Sequence, residues 1–241
     1  MNNSNDEKKE NIRKIGANDS LKQLGLKFLT ESAAYKYSYN FSWLGRPIIQ
    51  YPQDIIAMQE IVWDVKPDLI IETGIAHGGS LIFYSSLLDL LRNGGQVLGI
   101  DVDIREHNRK EIEKHPLFRN IRLLQGSSID GNIVKQVHAL AKDKKTILVV
   151  LDSNHTHEHV LRELELYSPF VTLGSYVVVF DTVVEDMPDD AFPDRPWGKG
   201  NNPKTAVREF LKMTDHFVID KDIEHKLLIT VAPEGYLKRV K

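Results

Sequence analysis

Two segments of the chain place small and acidic residues directly after short apolar runs. The first is LIIETGIAHGGS, residues 69–80, where Glu72 is followed by three glycines, and the second is VLGIDVD, residues 97–103, which contains Asp101. In an open parallel sheet, ligands bind at the carboxyl ends of the strands, and glycines let the backbone approach a bound group closely. These segments predict a site for a cofactor that contains a nucleoside.

The first loop favours one kind of nucleoside cofactor. Its sequence, ETGIAHGGS, lacks the G-x-G-x-x-G register of dinucleotide-binding loops. A nucleoside without a pyrophosphate needs instead a pocket for a charged amino-acid tail, expected near Glu72 and Gly74, and a carboxylate for the ribose, expected to be Asp101. This combination favours S-adenosylmethionine over NAD. The adenine side is expected to contact either Asp103 or the pair Ser127 and Ser128, which follows the third strand.

Two further carboxylates predict a metal site. Asp152, in LDSNHTHEH, and Asp181, in VVFD, each end an apolar strand, so both are expected at the same sheet edge as Glu72 and Asp101. Two hard oxygen ligands suit Mg²⁺ or another oxygen-preferring divalent ion. A histidine pair with one carboxylate would instead suit Fe²⁺ or Zn²⁺, and the sequence leaves both alternatives open.

Three histidines follow Asp152, and one of them is a candidate catalytic base. His155 lies in the loop, and its ordinary pKa is near neutrality, as general base catalysis requires. His157 and His159 are expected to cap the next helix or to face solvent at its start.

The elements that must position these residues form a regular series from Pro52 onward. Apolar strands alternate with helices of ten to fifteen residues, which predicts an α/β fold with a doubly wound, mostly parallel seven-stranded sheet, Rossmann-like, covered on both faces. The last two strands, HFVID and KLLITVAP, are expected to form a hairpin with one antiparallel strand.

Residues 1–50 are predicted to form an N-terminal helical and loop arm, and residues 51–241 the cofactor-binding domain. The first fifteen or so residues are polar, and disorder is expected there. The aromatic residues of the arm have two open interpretations, which are packing over the domain or a dimer interface, and forming a wall of the substrate pocket. These residues are Tyr39, Phe41 and Trp43.

The segment 182–203 is long for a connection in a compact domain, which indicates a lid or a substrate-binding loop. In this loop, Trp197 is suited to stack on a sugar or a polyketide-like substrate, and Arg195 is suited to form hydrogen bonds with it. A contact between subunits is the alternative interpretation.

Composition narrows the class of protein. The 241 residues carry a formal charge of −3, which gives no electrostatic footprint for nucleic acid, and the absence of cysteine excludes disulfides and cysteine-ligated metals. The polar N-terminus lacks a signal peptide's apolar core, and no apolar run approaches the length of a membrane span. A cytoplasmic homo-oligomer that acts on a small-molecule or glycan acceptor is expected.

Five motifs together resemble the cephalosporin hydroxylase family, which includes rhamnosyl O-methyltransferases. They are WLGRPIIQYPQD, PDLIIETGIAHGGS, VLGIDVDI, LDSNHTHEHV and RPWGKGNNPKTAVREFL. The resemblance implies a class I S-adenosylmethionine-dependent O-methyltransferase fold with a divalent metal near the methyl donor. It implies that the cofactor-binding positions are Glu72, Gly74, His77, Gly78, Gly79, Ser80 and Asp101. It also makes Asp152 and Asp181 metal-binding positions.

The chain departs from the family pattern at the end of the fifth strand, where two consecutive acidic residues are usual and Phe180–Asp181 stands instead. Asn154 also replaces a common acidic residue. The metal site is therefore expected to use two protein carboxylates and water, or to recruit Glu185 or Asp186. The departure at Phe180 leaves a catalytically silent nucleoside-binding protein as one alternative function. The family name implies a second alternative, a metal-dependent hydroxylase.

Overall fold

A computed structural model of the protein describes residues 2–241, with side chains from residue 5 onward. The N-terminal part consists of helices α1 (Asn2–Gly16) and α2 (Asp19–Ala33), a hairpin of strands β1 (Phe41–Trp43) and β2 (Arg46–Ile48), and helix α3 (Pro52–Val65). Residues 2–16 thus form a helix where their polar composition predicts disorder. The division of the chain at residue 50 remains a prediction.

The remaining strands form one seven-stranded sheet. They are β3 (Leu69–Thr73), β4 (Gln96–Asp101), β5 (Ile121–Gln125), β6 (Ile147–Leu151), β7 (Tyr176–Val179), β8 (Phe217–Ile219) and β9 (Tyr236–Arg239). Their order across the sheet is β5-β4-β3-β6-β7-β9-β8; the first five are parallel, and β9 runs antiparallel to both of its neighbours. The predicted doubly wound, mostly parallel sheet is confirmed.

Helices cover both faces of this sheet. They are α4 (Gly79–Leu91), α5 (Glu106–Glu113), α6 (Gly131–Ala141), α7 (His157–Tyr167), α8 (Pro203–Met213) and α9 (Lys221–Leu227). Because strand side chains alternate between faces, Ile70 and Leu148 join one apolar core with α3 and α4, whereas Ile71 and Val149 join the other with α6, α7 and α8. None of the helices in residues 2–241 has the length and apolar content that crossing a bilayer requires.

Local sequence signals explain where several helices begin. The Asp130 side chain caps α6 by accepting hydrogen bonds from two backbone N–H groups. Asn202 and Thr205 form a reciprocal capping box at the start of α8, and Pro203 occupies the first helical position. This cap matters for the site because it ends the long loop that begins at Thr182.

The C-terminal hairpin differs from the prediction. The segment KLLITVAP, residues 226–233, is not a strand: it completes α9 and continues as irregular chain, and the last strand is β9 at residues 236–239. The physical reason is the buried carboxylate of Asp54 in α3, which accepts hydrogen bonds from the Thr230 hydroxyl and the Val231 backbone N–H. The Tyr236 hydroxyl donates to the same carboxylate at 2.7 Å.

We expect Asp54→Ala to lower the free energy of unfolding by about 3 kcal/mol, because it leaves the buried hydroxyls of Thr230 and Tyr236 without an acceptor. Urea unfolding monitored by circular dichroism would measure the change. Asp64→Ala, at an exposed position of the same helix, is the control and should change stability by less than about 0.5 kcal/mol. Equal effects of the two substitutions would contradict this account of the C-terminal packing.

Candidate active site

The strand register brings the ends of four strands to one level. Thr73 at the end of β3 pairs with Ile100 on one side and Leu151 on the other, and Leu151 pairs with Val179 at the end of β7. The loops that follow these strands therefore open at the same edge of the sheet, where they border a cavity of about 490 Å³.

The predicted cofactor and metal carboxylates meet in this cavity. Asp101, Asp152 and Asp181 all line it. Four of the residues predicted to bind the cofactor in the loop after β3 also line it, namely Gly74, His77, Gly79 and Ser80. The predicted convergence of strand-end carboxylates is thus present in the structure.

Close backbone contacts explain why two positions of the loop after β3 require glycine. Gly74 has φ +81°, and a Cβ atom built there would lie 2.0 Å from the Asp152 carbonyl oxygen. A Cβ at Gly79 would lie 2.1 Å from the carbonyl oxygen of Pro47, in the β1–β2 hairpin. The loop after β3 therefore packs against both the loop after β6 and the N-terminal hairpin. Gly78 packs against Ile112 and does not line the cavity.

Asp101 is held in place by backbone groups. Its Oδ2 accepts a hydrogen bond from the Ile75 N–H at 2.9 Å, and its Oδ1 accepts one from the Asp103 N–H at 3.0 Å. Each carboxylate oxygen keeps a second acceptor position for a ligand. The Asp103 side chain is itself exposed, 3.9 Å from Arg105, and lies outside the cavity lining, so Asp103 contributes its backbone rather than its carboxylate.

Glu72 lies beneath the cavity rather than in its wall. It is 1% exposed, and the Ser80 hydroxyl, which does line the cavity, donates a hydrogen bond to it at 2.8 Å. Burial raises the pKa of Glu72 to about 8, and the negative charge of Asp101 adds to the effect. Glu72 therefore binds a proton at neutral pH unless a cation comes close to it.

Asp152, His155 and Asp181 form a compact cluster. Each offers one ligand atom, and these atoms all lie within 4.8 Å of one another. His155 Nε2 is 3.2 Å from Asp181 Oδ2, and the Gln50 side-chain amide donates to Asp152 Oδ2 at 3.2 Å. Burial raises the pKa of Asp152 well above its ordinary value, and the carboxylates of Asp181 and Glu72 raise it further.

The donor set of this cluster fits a divalent cation. Ligand atoms of the two carboxylates and the imidazole lie within 4.8 Å of one another, and two carboxylates this close repel each other unless a cation lies between them. The oxygen ligands suit Mg²⁺ or Mn²⁺, and a cation there would offset the charges that raise the pKa of Asp152.

The residues expected to complete the metal site are engaged elsewhere. Asp186 forms a salt bridge with the buried Lys204. Glu185 accepts hydrogen bonds from the Gly200 N–H at 2.8 Å and the Asn202 side chain at 2.5 Å. His155, rather than either acid, is the third member of the cluster. Phe180 is buried in the core and contributes nothing to it.

Asn154 stabilises the local turn. Its Oδ1 accepts hydrogen bonds from the Thr156 N–H at 2.9 Å and the Thr156 hydroxyl at 2.8 Å. This Asx turn precedes α7 and holds His155 between the strand and the helix.

His159 belongs to a buried polar network, although the sequence predicts that it caps the next helix or faces solvent. Its Nε2 is 3.1 Å from the Ser128 hydroxyl and 3.2 Å from the Ser153 hydroxyl, and Ser153 donates to the fully buried Glu163 at 2.8 Å. The network joins the loop after β5 to the loop that carries Asp152. Ser127 and Ser128 do not line the cavity, and Ser128 acts within this network. The i, i+4 spacing of His159 and Glu163 on α7 was the available signal.

His157 also has a structural partner. Its Nδ1 is 2.8 Å from the Thr205 hydroxyl, and its Nε2 is 3.2 Å from Glu209, both on α8. His157 therefore ties the start of α7 to α8 and does not simply face solvent.

Aromatic residues also border the cavity. The Trp197 ring lies edge to face with His155 at a centroid distance of 4.8 Å, and the Arg195 guanidinium carbon is 5.2 Å from the Trp197 centroid. Phe192 and, from the N-terminal part, Tyr39 also line the cavity. The predicted role of the long loop at the pocket agrees with this placement.

Of the three arm aromatics considered in the sequence, Tyr39 alone lines the cavity. Trp43 instead packs against Phe83 at a centroid distance of 4.9 Å and donates a hydrogen bond to the Ser86 hydroxyl. Phe41 packs edge to face with Tyr37, at 5.1 Å. Tyr37 lines the cavity, and the sequence did not distinguish it from its aromatic neighbours.

Comparison of the sequence with known families gives a match over most of the chain. Residues 35–240 match the family model described as Rhamnosyl O-methyltransferase/CmcI. A rhamnosyl O-methyltransferase of Mycobacterium tuberculosis is 30% identical over 189 residues, covering 77% of this chain and 73% of that protein. The protein of the same name from Mycobacterium leprae is 28% identical over 199 residues, covering 82% of each.

Solved structures with the same fold include two of CmcI. The apo-structure gives a TM-score of 0.59 at 18% identity and covers 84% of this chain and 77% of that chain. A CmcI structure with Mg and SAM gives a TM-score of 0.56 at 18% identity and covers 84% of this chain and 78% of that one.

Glu72 should make the stability of the ligand-free protein depend on pH. Its pKa is about 8 in the folded chain and 4.5 in an unstructured one, so folding favours the protonated form. The free energy of unfolding should fall as the pH rises from about 4.5 through 8, by about 5 kcal/mol at most from this group. Glu72→Gln should flatten this dependence in urea titrations at pH 5 and pH 9.

Glu106→Gln, at an exposed position of α5, is the matched control and should keep the wild-type dependence. A Glu72→Gln variant that loses stability with pH as steeply as the wild type would show that Glu72 ionises normally in the folded chain.

Proposed function

Because the chain belongs to the Rhamnosyl O-methyltransferase/CmcI family, we propose that this S-adenosylmethionine-dependent O-methyltransferase methylates a sugar hydroxyl with the help of a divalent cation held by Asp152 and Asp181. The observation that carries the proposal is a single cavity bordered by both the cofactor loop and the Asp152–His155–Asp181 cluster. A methyl donor and an acceptor hydroxyl must share such a space for direct transfer.

The cavity side near β3 and β4 is suited to the methyl donor. S-adenosylmethionine supplies a methyl group on a positively charged sulfur. Asp101 presents free acceptor positions for the ribose, and Glu72 and Ser80 lie where a charged amino-acid tail would be neutralised. The other residues proposed to bind the cofactor directly are Gly74, His77 and Gly79.

Three predicted cofactor residues are assigned a supporting role in this proposal. Gly78 allows the tight entry into α4, and the Asp103 backbone orients Asp101. Ser128, in the segment with Ser127, anchors the loop after β5 through His159.

Asp152 and Asp181 are the proposed metal ligands, and His155 is the proposed base. A divalent cation bound there would lower the pKa of a hydroxyl at the site. His155 is 17% exposed, and its Nε2 faces Asp181, whose carboxylate stabilises the imidazolium that forms when His155 accepts the acceptor's proton. The Trp197 ring packs edge to face against the His155 ring.

The cluster composition favours this reaction over hydroxylation. The facial triad of the iron-dependent oxygenases uses two histidines and one carboxylate, whereas this cluster has one histidine and two carboxylates. The intact cluster likewise speaks against a silent nucleoside-binding protein, since Phe180 leaves both aspartates in place.

Self-association and a cytoplasmic location belong to the same proposal. Leu21, Leu24 and Phe28 are exposed at helical spacing on α2, which suits a contact between copies of this chain. The methyl donor is a cytoplasmic metabolite. Sedimentation velocity of the full chain, with Leu24→Glu as the altered variant, tests the association.

We expect Asp152→Asn and Asp181→Asn each to weaken Mn²⁺ binding at least tenfold, because each removes one anionic ligand. His155→Gln should change Mn²⁺ affinity less than about threefold and yet abolish most methyl transfer to a rhamnoside. Mn²⁺ titration followed by electron paramagnetic resonance measures the affinity. Asp186→Asn, which is outside the cluster, is the control.

Unchanged Mn²⁺ affinity in both aspartate variants would rule out the proposed metal site. If His155→Gln loses as much affinity as the aspartate variants, His155 is a metal ligand and not the base.

Binding of S-adenosylmethionine should release a proton from Glu72. With a pKa of about 8, Glu72 is protonated in most of the free protein at pH 7, and a nearby cationic group lowers that pKa. Calorimetry of the metal-free protein in buffers of different ionisation enthalpy should show release of nearly one proton at pH 7 and almost none at pH 9.5. Glu72→Gln should release none at either pH.

Failure of the wild-type protein to bind S-adenosylmethionine or S-adenosylhomocysteine would contradict the proposed function. Binding without proton release would leave the function intact and remove Glu72 from the cofactor site.

A further inference from the structure

Two cationic side chains line the cavity that the cofactor loop also borders. Lys36, just after α2, and Arg195, in the loop 182–203, both line the same cavity as Asp181. Neither forms an ion pair with any carboxylate in the described part of the chain, although many other lysines and arginines do. Because neither cation pairs with the carboxylates that line the same cavity, both positive charges are available to a negatively charged ligand.

Three of the five acidic residues of the long loop are engaged with other partners. Asp189 pairs with Lys199 at 3.1 Å, and Asp186 pairs with Lys204. Glu185 accepts hydrogen bonds from the Gly200 backbone and from Asn202. The Arg195 backbone N–H donates to the Phe192 carbonyl at 3.2 Å, whereas its guanidinium donates no hydrogen bond within residues 5–241 and is available to a ligand.

Arg195 stands in a defined relation to the reacting end of the cavity. A series of contacts links Asp181 to Arg195. His155 Nε2 is 3.2 Å from Asp181 Oδ2, and the His155 and Trp197 ring centroids are 4.8 Å apart. The Arg195 guanidinium carbon is 5.2 Å from the Trp197 centroid. A sugar with one hydroxyl at His155 and its ring against Trp197 would therefore extend its next substituent toward Arg195.

Lys36, which lines the cavity, lies in a turn that is held by backbone hydrogen bonds. It has φ 49°, in the left-handed region, and its N–H donates to the Ala33 carbonyl at 2.9 Å. Its own carbonyl accepts hydrogen bonds from the Tyr39 N–H at 2.9 Å and the Asn40 side chain at 3.3 Å. The turn holds this residue where α2 ends, although a left-handed lysine is intrinsically disfavoured.

We propose that Lys36 and Arg195 form a subsite for a phosphate or diphosphate group attached to the acceptor sugar. The inference rests on the proposed function and adds the charge of the acceptor. The guanidinium fork matches two phosphate oxygens, and the lysine ammonium adds a second positive charge. A soluble nucleoside diphosphate sugar and a lipid-linked sugar diphosphate share this chemistry.

The test compares charged and neutral forms of the same sugars. Calorimetry on the 241-residue chain with S-adenosylhomocysteine and Mg²⁺ would measure binding of rhamnose 1-phosphate and glucose 1-phosphate, each against its neutral methyl glycoside. The wild type should bind at least one sugar phosphate tenfold or more tightly than the matching glycoside. This preference should weaken with added salt because it is electrostatic.

Arg195→Gln and Lys36→Gln should each reduce the preference for the phosphate at least fivefold, with little change for the neutral glycosides. Lys199→Gln, in the same loop but paired with Asp189, is the matched control and should keep the preference. A nucleoside diphosphate rhamnose and a polyprenyl diphosphate rhamnose in detergent then distinguish the two sources by which one binds more tightly.

Three results would overturn the proposal. They are equal affinity for charged and neutral sugars, a preference that neither substitution reduces, and no binding of any sugar phosphate by protein that binds S-adenosylhomocysteine. Weaker S-adenosylhomocysteine binding in the Lys36 or Arg195 variant would also overturn it, by assigning the cation to the cofactor's carboxylate. Failure of the wild type to bind S-adenosylhomocysteine would instead contradict the proposed function itself.

Discussion

The site depends on one close backbone contact, where the loop after β3 touches the loop after β6. Gly74 can occupy its position only because it lacks a Cβ, which would lie 2.0 Å from the Asp152 carbonyl oxygen. Level strand ends, with Thr73 opposite Leu151, bring the two loops together. The contact places the cofactor loop beside the metal cluster, and direct transfer between two ligands requires that proximity.

The charge distribution in the cavity follows from this geometry. Four carboxylates, those of Glu72, Asp101, Asp152 and Asp181, gather near one sheet edge, and burial and mutual repulsion raise the pKa values of Glu72 and Asp152. Such an arrangement is costly in the ligand-free chain and is relieved by cations. A divalent metal and a positively charged methyl donor are the two ligands that this charge distribution suits.

Sequence patterns identified the sheet and the carboxylates because both are local signals. Apolar runs that end in Asp101, Asp152 or Asp181 fix where the strands stop, and parallel topology then places their ends together. The seventh strand was misplaced because a tertiary contact decided it: the buried Asp54 holds Thr230 and Val231 away from the sheet. Propensity alone carries no information about such a contact.

Residues supplied by distant parts of the chain could not be foreseen in the same way. Gln50 contacts Asp152 across a separation of 102 residues, and Lys36 reaches the cavity through the turn that follows α2. The third member of the Asp152–His155–Asp181 cluster could not be predicted from the sequence either. His155 lies beside Asp152 and Asp181, whereas Glu185 and Asp186 have closer partners in the long loop and α8. Only the folded chain determines these partners.

The central claim is that a divalent cation binds between Asp152 and Asp181, beside the methyl donor, while His155 remains free to accept a proton. Anomalous diffraction from crystals of the full chain grown with S-adenosylhomocysteine and Mn²⁺ tests it most directly. The account predicts one manganese peak within about 2.5 Å of an oxygen from each aspartate, with His155 Nε2 outside the ligand sphere. A peak elsewhere, no peak, or manganese ligated by His155 would contradict it.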